Sequence, residues 1–205
     1  MTNKMDEMII VAPRKEVFAN ETLTFQGTET DKAKTQQIVS NIARTYSVMR
    51  RGDAEENQDF KQPIPYVAIK RGNEVFTYQR LQGGGEKRLH NQVSLGVGGH
   101  LNDVPDTDFY GVLEDGLQRE LEEELFINKD NLKLNTIGLI NDDENAVGKV
   151  HIGMLVIGEL PEDEEVSVRE TDQLLGKWMT VEDLKKPEVY ESLESWSKFV
   201  VDILN

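Results

Sequence analysis

Arg119-Glu120-Leu121-Glu122-Glu123-Glu124-Leu125 is the stretch whose reading decides this chain. On a helix each residue turns by about 100°, so Glu124 falls about 40° from Glu120 and Glu123 about 60° from it on the other side. Three carboxylates therefore share one arc, while Glu122 points to solvent. Arg119 lies about 100° from Glu120, close enough to orient a carboxylate by a charge-assisted hydrogen bond. Leu113, Leu117, Leu121 and Leu125 recur at i, i+4. Such a stripe can anchor the helix on a sheet and hold the carboxylates at the edge of the packed surface.

Converging carboxylates repel one another and raise their own pKa values. A hard divalent cation relieves that repulsion, because carboxylate oxygens suit Mg²⁺ or Mn²⁺. A metal so held polarises a phosphoryl oxygen and activates a water. The competing reading is an acidic, solvated helix face built from good helix formers.

Outward from this helix the chain alternates strands and helices without regular βαβ repetition, which predicts an α/β or α+β fold. Met8–Val11 reads as a strand and Lys32–Met49 as a helix. Residues 50–65, polar and with two prolines, read as loop. Tyr66–Ile69 and Val75–Tyr78 flank the hairpin punctuation Lys70-Arg71-Gly72-Asn73. Val93–Val97 is a strand ending at Gly98-Gly99, and the acidic helix spans Val112–Phe126. Leu134–Ile140 and Val150–Ile157 are strands around an acidic loop, and Lys177–Met179 is a last strand. Thr180-Val181-Glu182-Asp183 has capping-box spacing. Tyr190–Leu204 is a closing helix. The expected organisation is an N-terminal strand-helix extension over residues 1–60, packing on a core domain over 61–205.

Composition narrows the function classes. The chain has 205 residues, 38% hydrophobic and 30% charged, with a formal net charge of −15. That apolar content supports a core and excludes wholesale disorder. The charge argues against duplex nucleic acid, but a metal can bridge carboxylates to phosphates on a small molecule. Cysteine is absent, so disulfides and thiolate metal sites are excluded and a cytoplasmic location fits. The longest apolar runs fall short of a membrane span, so no membrane partner is expected.

Arg119, Glu120, Leu121, Glu123, Glu124 and Ile127, after a strand ending in Gly98-Gly99, resemble the second half of the signature of the Nudix (MutT-like) hydrolases. That signature is Gly-x5-Glu-x7-Arg-Glu-apolar-x-Glu-Glu-x-Gly-apolar. The likeness spans about Pro63 to Leu184, with Trp178 and Thr180–Leu184 resembling how many such domains end. Gly85–His90 and Ser94–His100 resemble a MutT-like branch labelled predicted phosphoesterase. The resemblance implies an α/β/α sandwich with a mixed sheet and a homodimer. It also implies Mg²⁺ or Mn²⁺ on Glu120, Glu123, Glu124 and the Gly99 carbonyl. The expected reaction is hydrolysis of a diphosphate linkage in a nucleoside diphosphate derivative or related phosphorylated small molecule. The alternative is a Nudix-fold module that binds nucleotides with little or no turnover.

Three departures stand out. Gly99 and Arg119 lie 20 positions apart, about six more than the signature's spacing. The early glutamate falls on Gly111, with Glu114 off the metal arc and Asp103, Asp106 or Asp108 as loop substitutes. The late glycine is Phe126.

Nudix enzymes often use a further carboxylate outside the box. Asp142, Asp143 and Glu144 occupy a loop between strands, and Glu144 is taken as a catalytic candidate. An ordinary acidic turn is the alternative. Strand alternation would put Lys149 and His151 on one face. His151, His100, Arg80 and Arg88, with Lys87 nearby, are candidates for contacting the phosphates. Ordinary surface charge or a structural histidine is the competing reading for each. His90, His100 and His151 lack a helical His-x3-His pairing, which argues against zinc. Gly83–Gly85 lacks the ending of a P-loop.

Overall fold

The computed structural model describes residues 3–80, 92–169, 171 and 174–205. Along the chain, β1 (Met8–Pro13) leads into a single turn α1 (Arg14–Val17), then β2 (Gly27–Glu29) and α2 (Lys32–Thr45). Asp31 caps α2 by accepting a hydrogen bond from the Lys34 N–H, which satisfies a helix-end donor. The helix stops four residues earlier than its apolar spacing predicts. Tyr46 turns extended, and β3 (Ser47–Arg50) pairs antiparallel with β1, Met8 opposite Arg50 and Val11 opposite Ser47. The unpaired edge of β1 captures these residues from the helix.

Residues 50–65 are not a loop. They form the short helix α3 (Arg51–Ala54) and the first half of the strand β4 (Phe60–Arg71). Pro63 and Pro65 sit inside β4, and every residue from Lys61 to Ile69 is buried. A strand covered on both faces carries no polar alternation, so its start resembles a turn-rich linker. The hairpin then forms as expected. Gly72, at φ +52°, and Asn73 turn β4 into β5 (Glu74–Arg80), with Lys70 opposite Val75 and Arg71 opposite Glu74. Gly72 supplies the left-handed backbone that the turn needs.

Val93–Val97 splits into two short strands with different partners, β6 (Val93–Ser94) on β5 and β7 (Gly96–Val97) on β4. Helix α4 covers Phe109–Glu124. It gives way at once to β8 (Leu125–Phe126), then β9 (Lys133–Asn141). Val150 ends a short helix α5 (Ala146–Val150), and β10 starts only at His151 (His151–Leu160). The Asn145 side chain caps α5 by accepting from the Gly148 N–H at 2.8 Å. The last elements are β11 (Ser167–Val168), β12 (Leu174–Thr180), α6 (Val181–Leu184), α7 (Pro187–Tyr190) and α8 (Ser195–Ile203). Thr180 caps α6 through the Asp183 N–H. The closing helix is α8, which begins five residues later than expected, after Ser192 and Glu194 bond the backbone of Val93.

Two compact units divide these elements. The first comprises residues 1–66, 98–118 and 137–155, and the second 67–97, 119–136 and 156–205. In the first, β1 alternates. Ile10 and Ala12 join a core with Phe18, Ile38, Ile42, Leu101, Phe109 and Ile152, while Ile9 and Val11 join Ala54. This is the period-two signature of a strand buried on both sides. In the second, β12 pairs with β5 from Thr180–Glu74 to Leu174–Arg80. Trp178 packs edge-on to Phe76 at 5.4 Å and beneath the Arg71 guanidinium at 4.2 Å. Val200, Val201 and Leu204 of the α8 region are buried. No described helix is long and apolar enough to cross a membrane.

Candidate active site

In the second unit, Arg119 donates to Glu120 at 2.8 Å and lies 3.6 Å from Glu123. Glu120 is 7% exposed, carried inward beside Leu121 and Leu125, which are buried outright. Burial raises its pKa, Glu123 and Glu124 add to the rise, and Arg119 opposes it. Glu123 is exposed and Glu124 half-buried. Glu122 faces solvent and pairs with Lys129. The three carboxylates share an arc of helix, but their oxygens do not gather to within 4.8 Å of one another. Among the described residues the group that does so is Glu55, His100 and His151. Mutual repulsion keeps carboxylates apart, and Arg119 draws Glu120 to itself.

That second group lies in the first unit. Glu55 follows α3, His100 follows the Gly98-Gly99 pair, and His151 opens β10. His100 Nε2 is 3.3 Å from Glu55 Oε1, 3.3 Å from His151 Nε2 and 2.8 Å from Gln62 Oε1. His151 Nδ1 lies 2.7 Å from the Val147 carbonyl and so donates to it. Burial pushes the His151 imidazole down to about 4, so it is neutral at physiological pH. The hydrogen bond from His100 holds Glu55 below the usual carboxylate range, against burial. Lys149 lies in α5, not on a strand face with His151.

The acidic loop has a different character. Asp143 accepts from Arg14 Nη1 and Nη2, at 2.8 and 2.9 Å, and from Lys61 at 3.0 Å. Lys61 is fully buried and also bonds Asn141 Oδ1 and the carbonyls of Gly148 and His151. Burial pushes Lys61 down to about 8. Burial also pushes Asp143 up, but hydrogen bonds from Arg14, Asn141 and Lys61 outweigh it and hold the carboxyl well below the ordinary range. Asp142 is buried among Gln26, Asn145 and the Glu144 N–H. Glu144 itself is exposed.

No family model matches the chain. Protein YmaB of Bacillus subtilis (strain 168) is 56% identical over 203 residues, 98% of each chain. Tm1382, described from its crystal structure as a candidate Nudix hydrolase, matches with a TM-score of 0.79 and 28% identity. The match covers 97% of this chain and 98% of that one. This chain and YmaB belong to one family, and the structural neighbours fit the Nudix family. DR0079 of Deinococcus radiodurans, at TM-score 0.54 and 16% identity over 78% of this chain and 91% of that one, shares the fold. The α/β class with a mixed sheet is the one expected.

The Nudix departures have physical causes. Gly111 stands where the early glutamate falls, and a Cβ there would meet Thr107 Oγ1 at 2.1 Å. Asp108 caps α4, its Oδ1 accepting from the Gly111 N–H at 3.0 Å. Glu114 is exposed. Phe126 continues into β8, paired with Ser167 and covered by the Arg169 guanidinium at 4.1 Å, so the helix leaves by a strand and not a turn. In the Gly98-Gly99 pair, Gly98 is the sterically obligate member, since a Cβ would lie 1.8 Å from the Pro65 carbonyl oxygen. Arg88, Lys87, His90 and Gly83–Gly85 lie outside the described residues. Arg80 ends β5.

Sequence reasoning missed Glu55, Gln62 and Lys61. All three come from the segment that reads as loop. The histidine pair joins residues 51 apart on different elements, a separation no local spacing rule detects.

Proposed function

We propose that the chain is a hydrolase of diphosphate linkages in nucleoside diphosphate derivatives, acting through Arg119, Glu120, Glu123 and Glu124. The observation that carries the reading is Glu120. It is a buried carboxylate beside two others, served by one guanidinium, on the box helix of a Nudix fold. A hard dication fits this donor set, because it offers oxygen ligands and an excess of negative charge. Glu120, Glu123 and Glu124 would hold Mg²⁺ or Mn²⁺, which when bound polarises a phosphoryl oxygen and lowers the pKa of water.

The chain's own groups supply the rest. Arg119 fixes the Glu120 carboxylate through the 2.8 Å contact, so little reorganisation is left for the reaction. Water adds to one phosphorus, the bridging P–O bond breaks, and the water's proton passes to a carboxylate. Glu144 is the candidate outside the helix. Two phosphorylated fragments leave. Arg80 and Arg88 belong to the proposal as the positive charge that receives the phosphates. A homodimer in the cytoplasm completes it.

The test is hydrolysis of a panel of nucleoside triphosphates, ADP-ribose, dinucleotide polyphosphates, coenzyme A and sugar nucleotides, with Mg²⁺ or Mn²⁺. Metal-dependent turnover that Glu124→Gln abolishes supports the reading. Tight nucleotide binding without turnover favours the binding module, for which the glycine at the early-glutamate position, Gly111, speaks.

A further inference from the structure

We propose that Glu55, His100 and His151 form a binding site for a first-row transition-metal dication, with Zn²⁺ the ion its geometry suits. Its chemistry is separate from that of the box-helix carboxylates.

The first argument is distance. A tetrahedral zinc with bonds of about 2.0–2.1 Å sets neighbouring donor atoms about 3.3 Å apart. Here the two Nε2 atoms are 3.3 Å apart, and His100 Nε2 is 3.3 Å from Glu55 Oε1. The third edge, His151 Nε2 to Glu55 Oε1, is 3.8 Å. The three donors stand close to a ligand triangle, with a fourth position left for water or another group.

The second argument is an imbalance of hydrogen-bonding groups. His151 gives its Nδ1 proton to the Val147 carbonyl, so its Nε2 presents a lone pair. Gln62 Oε1 and Glu55 Oε1 are acceptors as well. One N–H, that of His100, faces three acceptors. A cation among the lone pairs of His151 Nε2, His100 Nε2 and Glu55 Oε1 satisfies together acceptors that a single N–H cannot serve.

The third argument is support. A ligating histidine typically donates its other ring N–H to a carbonyl, as His151 does to Val147. Two imidazoles and a carboxylate suit zinc and its neighbours, whereas Mg²⁺ prefers oxygen. Arg51, the cation nearest Glu55, stands 3.7 Å from the same oxygen, beyond hydrogen-bonding range. An ion here would tie together three segments remote in sequence.

The test uses the full chain, stripped with a chelator and dialysed against Zn²⁺ in excess Mg²⁺, with bound metal read by elemental analysis. Co²⁺ serves as a spectroscopic probe of tetrahedral ligation. Wild type should retain about one Zn²⁺ per chain, melt at a higher temperature with Zn²⁺, and show an intense visible Co²⁺ band. His100→Ala and Glu55→Gln, checked for folding by circular dichroism, should each weaken Zn²⁺ binding by roughly 100-fold. Glu123→Gln should leave it unchanged. If one of the first two variants fails to fold, the other decides. Wild type that holds no Zn²⁺, retention in the folded variants, or loss in Glu123→Gln would each overturn the proposal. Hydrolysis of the diphosphate panel is a separate readout that bears on the box helix alone.

Discussion

Glu120, which is buried, and Asp143, which is half-buried, are carboxylates in acidic stretches, and they are opposites. Asp143 is met by Arg14, Lys61 and Asn141, and its pKa falls. Glu120 is met by Arg119 with two like charges beside it, and its pKa rises. An acid whose charge is compensated within the fold is committed to the fold. One whose charge is under-compensated is available to a ligand, and perturbed acids of that kind are where function concentrates.

The largest expected effect follows from the Glu120 side of this contrast. Glu124→Gln removes a neighbouring carboxylate and should lower kcat on a responsive diphosphate by about 100-fold or more, with the melting temperature little changed. A kcat within a few-fold of wild type would detach the helix from the chemistry.

Asp143→Ala should act on the other side. It leaves the buried Lys61 short of its counter-charge, and a loss of about 2–3 kcal/mol in unfolding free energy is expected in urea. The pH dependence carries a definite sign. Asp143 has a depressed folded pKa, so its contribution is present above the unfolded value of about 3.9 and is lost as pH falls below it. Glu120, with a raised folded pKa, contributes below its unfolded value and loses that contribution as pH rises through its folded one. Melting curves of chelated protein should therefore show a shallower acid limb in Asp143→Ala. Equal limbs in wild type and variant would contradict the role given to Asp143.

Gly111→Ala sharpens the contrast within helix α4 itself. Its Cβ would meet the hydroxyl of exposed Thr107, which can rotate away, so urea unfolding should show a change of no more than about 1 kcal/mol. Restoring the family's glutamate there should give no gain in turnover. The smallest effect belongs to Glu122→Ala, which should change neither turnover nor melting temperature, because that carboxylate faces solvent beside Lys129.

What the sequence made legible was local. The Glu120–Glu123–Glu124 arc, the leucine stripe, the Thr180 cap and the Gly72-Asn73 turn are encoded within a few residues of one another, where helical period and turn chemistry apply. Lys61 and Gln62 were illegible for a physical reason. They are polar residues in a strand buried on both faces, with prolines at 63 and 65 that mimic a linker. Glu55 meets its histidines only after the chain folds. The loop at Asp142–Glu144 was legible as acidic, but not as a set of structural acceptors. Its partners, Arg14, Gln26 and Lys61, lie 82 to 129 residues away.

The most direct measurement is kcat/KM for Glu120→Gln and Asp143→Asn, side by side, on whichever diphosphate the panel returns, at a temperature where both are folded. The account predicts a loss of about 100-fold or more in Glu120→Gln and a value within about twofold of wild type in Asp143→Asn. The reverse pattern would place the chemistry on the acidic loop and contradict the account.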